Sequence, residues 1–275
     1  MVLTGKFSRE KGAHMEKITS KDGTPIACWK SGEGPPLVLV HGSISDHTYW
    51  QPTLPVLEES FRVYTIDRRG RGESGDSDDY AIEREFEDVA AVVDSIGEPA
   101  NLLGHSYEAI CTLAAATLTS HVDKLVLYEP PINLAGGEMF PPGFVERLEA
   151  LLEEGDRDGA IETFIREAVG LSPEEVEYLR SLPSWQVMVA SAHTLPRELK
   201  AVNEKYRFEV ARFRDLRTTT LLLGGGDSAP YLQESNQAVG ETLPNSRLAV
   251  MRGQGHEAVE MGPDLFVAEV LRFLT

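Results

Sequence analysis

Ser106 stands in the run Gly104-His105-Ser106-Tyr107-Glu108-Ala109. An apolar stretch, Asn101–Leu103, precedes it, and Ile110, Leu113, Ala114 and Thr117 follow at the spacing of one helix face. A serine on such a strand-turn-helix junction has its hydroxyl above the strand end. The amide after it and the positive end of the helix point to the same place. A hydroxyl is a poor nucleophile until a base takes its proton, which a neutral imidazole does near neutral pH. His256 supplies one, in the Gly-rich loop Gly253-Gln254-Gly255-His256. Asp227 closes the run LLLGGGD, and His41-Gly42-Ser43 closes LVLV, where the Ser43 amide is placed to complete an oxyanion site. All four groups follow apolar runs. In open α/β sheets, functional groups gather at such carboxyl ends of strands.

The elements that must position these groups read as a parallel sheet covered by helices. Buried strands are expected at Leu37–Val40, Val63–Ile66, Asn101–Leu103, Leu125–Tyr128, Thr220–Leu223 and Leu248–Met251, each nearly uniformly apolar. A leading antiparallel hairpin is expected from Glu16–Thr19 and Ile26–Trp29 around Asp22-Gly23. Phe86, Val89, Ala90 and Val93 mark a helix, and Pro263 opens a last one through Phe266–Leu274. Between the strands near 125–128 and 220–223 the alternation stops. Residues 133–216 read as helices alone, divided at Pro141-Pro142-Gly143, Gly155, Ser172-Pro173 and Pro183. The expected organisation is a leader over 1–14, a core from 15–132 and 217–275, and a helical cap over 133–216.

The charge balance narrows the partners. With 26 basic and 44 acidic residues the net charge is −18, which repels phosphate backbones and anionic membrane surfaces. Nucleic-acid and membrane binding are therefore not expected, and no apolar stretch approaches the roughly 18–20 residues of a spanning helix. The opening MVLTGKFSREKGAHM lacks a signal-peptide pattern and resembles a vector-derived leader. Cys28 and Cys111 form neither a disulfide framework nor a metal spacing and read as free thiols in a reducing cytoplasm. His41, Asp46 and His47 match no ligand spacing, so no metal is expected. Gly224-Gly225-Gly226 lacks the pattern of a nucleotide loop, and no cofactor is implied.

Taken together, HGSISD, DRRGRGES (67–74), GHSYEA, LVLYEPP (125–131), LLLGGGD and GQGHEA resemble the α/β-hydrolase-fold serine hydrolases with a helical cap, over essentially residues 15–275. The order Ser…Asp…His along the chain is that of this family. The resemblance implies Ser106 as nucleophile, His256 as general base, Asp227 as orienting acid, and the Ser43 and Tyr107 amides as oxyanion donors. Glu129, in Tyr128-Glu129-Pro130, also follows a strand, and some members carry their acid there. Asp227 is preferred for its strand-end position and its spacing from His256, which leaves Glu129 to anchor a loop or the cap. The implied activity is hydrolysis of a small to medium, largely uncharged ester, lactone or related carbonyl compound through an acyl-serine intermediate. Perhydrolases, acyl transferases and hydroxynitrile lyases carry similar triads and stay open, as does a ligand-binding or sensor protein of low turnover. Serine at 106 separates the chain from the dehalogenases and epoxide hydrolases of this fold, which carry aspartate there.

Glu108 departs from the family pattern, which has glycine at that position. Three readings follow: accommodation by small neighbours such as Ala109, a replacement of glycine that leaves the triad impaired, or a carboxylate that reaches the pocket or His256. A charge near a helix N-terminus is worth only about 0.3–1 kcal/mol, too little to offset full desolvation. His41 and His105 are expected to hydrogen-bond locally or line the pocket. Arg68, Arg69 and Arg71 are expected in a tight loop with solvated or paired cations. Trp185 and Met188 are candidates for the substrate pocket or for packing between cap helices. Oligomeric state has no signature in the sequence.

Overall fold

The computed structural model describes residues 14–134 and 139–275. Most of the expected leader lies outside the described residues, and His14, its last residue, opens the first strand. The strands are β1 (His14–Thr19), β2 (Pro25–Ser31), β3 (Pro36–Val40), β4 (Arg62–Ile66), β5 (Ala100–His105), β6 (Val122–Tyr128), β7 (Thr219–Gly225) and β8 (Ser246–Met251). They form one sheet in the order β1-β2-β4-β3-β5-β6-β7-β8. The β1–β2 and β2–β4 pairs are antiparallel and the others parallel.

Period-two alternation decides which way each strand residue faces. Val38 and Val40 enter one apolar cluster, with α2 (Ile82–Ile96) and α3 (Tyr107–Ala115). Leu37 and Leu39 enter the other, which holds Trp50, Leu57 of α1 (Leu54–Leu57), and Phe266 and Val270 of the last helix. The parallel strands are covered on both faces for this reason, with one exception. β8 is the edge strand, and its Leu248 and Val250 are half exposed (51% and 53%) rather than buried as their apolar character suggests.

Between β6 and β7 the described chain is helical: α4 (Phe144–Glu153), α5 (Arg157–Phe164), α6 (Pro173–Ser181), α7 (Ser184–Ser191), α8 (Leu195–Lys200) and α9 (Val210–Phe213). Residues of α4 to α8 share a third cluster that includes Phe144, Leu148, Trp185 and Leu195. Ser172 caps α6 with a full capping box to Glu175. Ile44, from the loop after β3, reaches into the same cluster and ties the inserted helices to the sheet. The core closes with α10 (Pro230–Thr242), α11 (Ala258–Met261) and α12 (Pro263–Leu274). No helix among the described residues is long and apolar enough to cross a membrane.

Candidate active site

Ser106 lies between the last residue of β5 and the first of α3, with φ +57° and ψ −127°. Three non-glycine residues have positive φ among the described residues: Ile44, Ser106 and Glu129. All three belong to one site. Such conformations cost about 1–3 kcal/mol each and persist where surrounding structure enforces them. Close packing is what enforces the turn at Ser106. A side chain on Gly104 would meet the Glu108 carbonyl oxygen at 2.6 Å, so β5 and α3 approach too closely for any residue but glycine.

From the serine a hydrogen-bonded chain runs inward. Ser106 Oγ lies 2.9 Å from His256 Nε2, and His256 Nδ1 lies 2.6 Å from Glu129 Oε2. The Gly225 amide donates to the other Glu129 oxygen at 2.6 Å, and Glu129 is fully buried. This corrects the expectation for Asp227. That residue is exposed beyond the end of β7, and its amide donates to the Gln254 carbonyl at 3.0 Å. Gly224 and Gly225 supply the physical reason. A side chain on Gly225 would meet the Gly255 Cα at 2.8 Å, and one on Gly224 would meet the Asn236 side chain at 2.7 Å. The glycines leave the end of β7 bare, so the histidine loop packs onto it and Glu129 reaches His256 from β6.

Tyr128 fixes that loop: its hydroxyl donates to the Gly255 carbonyl at 2.6 Å and accepts from the Ala258 amide at 3.1 Å. His105 Nε2 donates to the His256 carbonyl at 3.0 Å. Burial disfavours the charged form of His256, but the hydrogen bond and charge of Glu129 outweigh it and hold the imidazole above its ordinary value of 6.5. Burial, reinforced by His256, pulls His105 the other way and keeps it neutral.

Glu108 does not reach this chain. It is wholly buried on the far side of α3, in a cluster with Arg68, Glu85 and Glu198. Arg68 makes a two-pronged pair with Glu85, at 2.9 and 2.8 Å, and its Nε also lies 2.6 Å from Glu108 Oε1. Burial raises the Glu108 carboxyl well above its ordinary value. Arg68 opposes this, and the neighbouring charge of Glu85 reinforces it. Glu85 moves the other way despite its burial, lowered to about 2 by Arg68. Around Arg68 the two carboxyls therefore part: Glu85 is favoured as the anion and Glu108 as the neutral acid.

The same cluster reaches the loop after β3. Arg68 Nη1 donates to the Gly42 carbonyl at 3.0 Å, and Ser43 Oγ donates to Glu198 Oε2 of α8 at 2.7 Å. Arg71 pairs with Glu198 and donates to Thr194 Oγ1 at 2.7 Å. Arg69 pairs with Asp88 at 2.7 Å. The arginines of this loop are buried and paired rather than solvated.

Ser106 and His256 open on a pocket beneath the inserted helices. Ser43, His105 and Met188 line it; Trp185 and His41 do not. Trp185 packs inside the inserted helices and donates to Asp158 at 2.7 Å. His41 is buried behind the loop, with Nδ1 2.9 Å from the Gly42 carbonyl. Tyr107 begins α3, so its amide has no intrahelical acceptor. Asp46 caps the turn at Thr48, and His47 pairs with Asp67 at 2.7 Å.

Comparison with known proteins agrees with this architecture. A hydrolase from Sphaerobacter thermophilus is 38% identical, with a TM-score of 0.83, covering 94% of this chain and all of that one (100%). The esterase RhEst1 from a Rhodococcus species is 26% identical with a TM-score of 0.76, over 94% and 98% of the two chains. The putative carbamate hydrolase RutD of a Caulobacter species is 25% identical over 87% of this chain and 90% of its own. Against a longer relative, the probable oxidoreductase EphD of Mycobacterium tuberculosis, the chain spans 17% of its length, matching 100 residues at 34% identity. The model of the alpha/beta hydrolase family matches residues 37–269, and the chain belongs to that family.

Proposed function

We propose that the protein is a serine hydrolase of small to medium esters, lactones or related carbonyl compounds, working through an acyl-serine intermediate. The observation that carries this reading is the hydrogen-bonded chain Ser106–His256–Glu129 at the floor of the pocket. His256 Nε2 takes the Ser106 proton as Oγ attacks the carbonyl carbon. The Ser43 and Tyr107 amides receive the oxyanion, an interaction in which one donor is typically worth about 3 kcal/mol. His256 then passes its proton to the leaving alcohol, and a water deprotonated by the same imidazole releases the acid. Glu129 orients the ring and stabilises its charged form, the role that Asp227 was expected to fill.

The helices between β6 and β7 serve as the cap, contributing the apolar wall of the pocket. Esterase activity in a relative of 26% identity agrees with this reading. The burial of Glu108 away from the pocket supports a working enzyme over an impaired or binding-only protein. A fluorophosphonate probe is expected to label the wild type and leave Ser106→Ala unlabelled. Equal labelling of both contradicts the assignment.

A further inference from the structure

The pocket wall is apolar where the inserted helices supply it, through Phe164, Ile165, Val169, Leu179 and Met188. One corner differs. Glu257, the residue after His256, lines the pocket, and its carboxylate receives the Tyr49 hydroxyl at a long 3.4 Å. A carboxylate has room for about four such bonds. The neighbouring His105 ring carries an unpartnered acceptor of its own. His105 Nε2 donates to the His256 carbonyl, so Nδ1 carries the lone pair, and that nitrogen is buried without a partner. The ring is held by stacking on Tyr49 and Tyr128, with centroids at 5.2 and 4.7 Å. A methyl group on Gly42 would sit 3.2 Å from this nitrogen and 3.0 Å from Ser106 Cβ, so the free nitrogen adjoins the nucleophile. A Glu257 oxygen and nitrogens of His105 and His256 lie within 4.8 Å of one another.

A carboxylate with spare acceptor capacity, beside the reacting residues and facing the apolar wall, is best matched by a ligand that brings a donor. We propose that Glu257, backed by the buried His105 ring, forms a subsite selecting substrates with a hydrogen-bond donor, a hydroxyl or ammonium group, a few atoms from the scissile carbonyl. The subsite rests on the serine hydrolase reading and gives it a substrate class: hydroxy or amino esters, rather than plain or carboxylated ones.

The test compares kcat/KM for the ethyl esters of butyrate, β-hydroxybutyrate and β-aminobutyrate and for monoethyl succinate, in wild type, Glu257→Leu and Glu257→Gln. Wild type is expected to favour at least one donor-bearing ester over butyrate by about tenfold or more and to disfavour the succinate. Glu257→Leu abolishes the preference. Glu257→Gln keeps preference for a hydroxyl and loses preference for an ammonium, which separates the two donors. No preference in wild type overturns the subsite, and so does a preference unchanged in Glu257→Leu. Wild type alone can decide, so a variant that fails to fold does not spoil the test. Fluorophosphonate labelling of Ser106 in the same samples separates the two readings. Labelling without a donor preference overturns the subsite alone, whereas absence of labelling overturns the serine mechanism beneath it.

Discussion

Glu129 Oε2 lies 2.6 Å from His256 Nδ1, although Glu129 follows β6 and His256 follows β8, with all of β7 between them in the sheet. The carboxylate crosses the end of β7 over two glycines and takes the amide of one of them. Asp227, at the end of that intervening strand, faces solvent.

The two carboxylates should therefore respond very differently to neutralisation. Glu129→Gln is expected to lower kcat by about 10³–10⁴-fold, the usual penalty for losing the acid of such a triad. Asp227→Asn should stay within about twofold, as for a surface change. Steady-state kinetics on one ester decides, and a large loss in Asp227→Asn alone reverses the assignment.

Glu129 also sets the pH response. Its hydrogen bond and charge hold His256 above 6.5 against burial, and only the neutral ring accepts the serine proton. Activity should fall as pH drops, with a midpoint above 6.5. In Glu129→Gln the residual activity should show a midpoint shifted to lower pH. An unshifted midpoint separates Glu129 from the titration of His256.

For Glu108 the test is stability. Its folded carboxyl titrates above its ordinary value, so between the two values the folded state holds a proton that the unfolded state has lost. Stability from this group is present below the ordinary value and declines as pH rises across that window. Glu108→Gln cannot lose the proton. Its melting temperature should match wild type near about pH 5 and exceed it by about pH 8. Parallel melting curves at every pH contradict a protonated Glu108. Arg68→Met, by contrast, leaves buried carboxylates unpaired and should cost about 3–5 kcal/mol.

Glu198 ties the inserted helices to the loop after β3, the proposed oxyanion loop, through the Ser43 hydroxyl. As a positioning residue it should affect kcat more than KM. Glu198→Ala and Ser43→Ala should each lower kcat by about tenfold, and the double variant should lose little more than either alone. Glu198→Gln, which keeps an acceptor oxygen, should recover part of the loss. Additive effects in the double variant disconnect the two residues.

How much of this could be read from residue order depends on how local each feature is. The strands are short apolar runs bounded by turns, so each one's place along the chain is a local property. Ser106 and His256 carry their context with them, in a strand-turn-helix junction and a Gly-rich loop. Glu129 and Asp227 could not be separated this way, because both follow apolar strands and choosing between them needs the lateral reach across β7. The clue was the triple glycine: bare backbone at a strand end means something packs over it. Glu108 stays open among three readings in the sequence because its partners Arg68 and Glu85 belong to the loop after β4 and to α2. The exposure of β8 follows from its place at the sheet edge, which its own residues do not reveal.

The central claim is that Ser106 becomes acylated during turnover. The most direct measurement is rapid acid quench of the enzyme with p-nitrophenyl acetate, followed by peptide mapping by mass spectrometry. One acetyl group is expected on the peptide containing Ser106, absent in Ser106→Ala and slow to clear in Glu129→Gln. Ester turnover with no acyl group on Ser106, or with the group on another residue, contradicts the account.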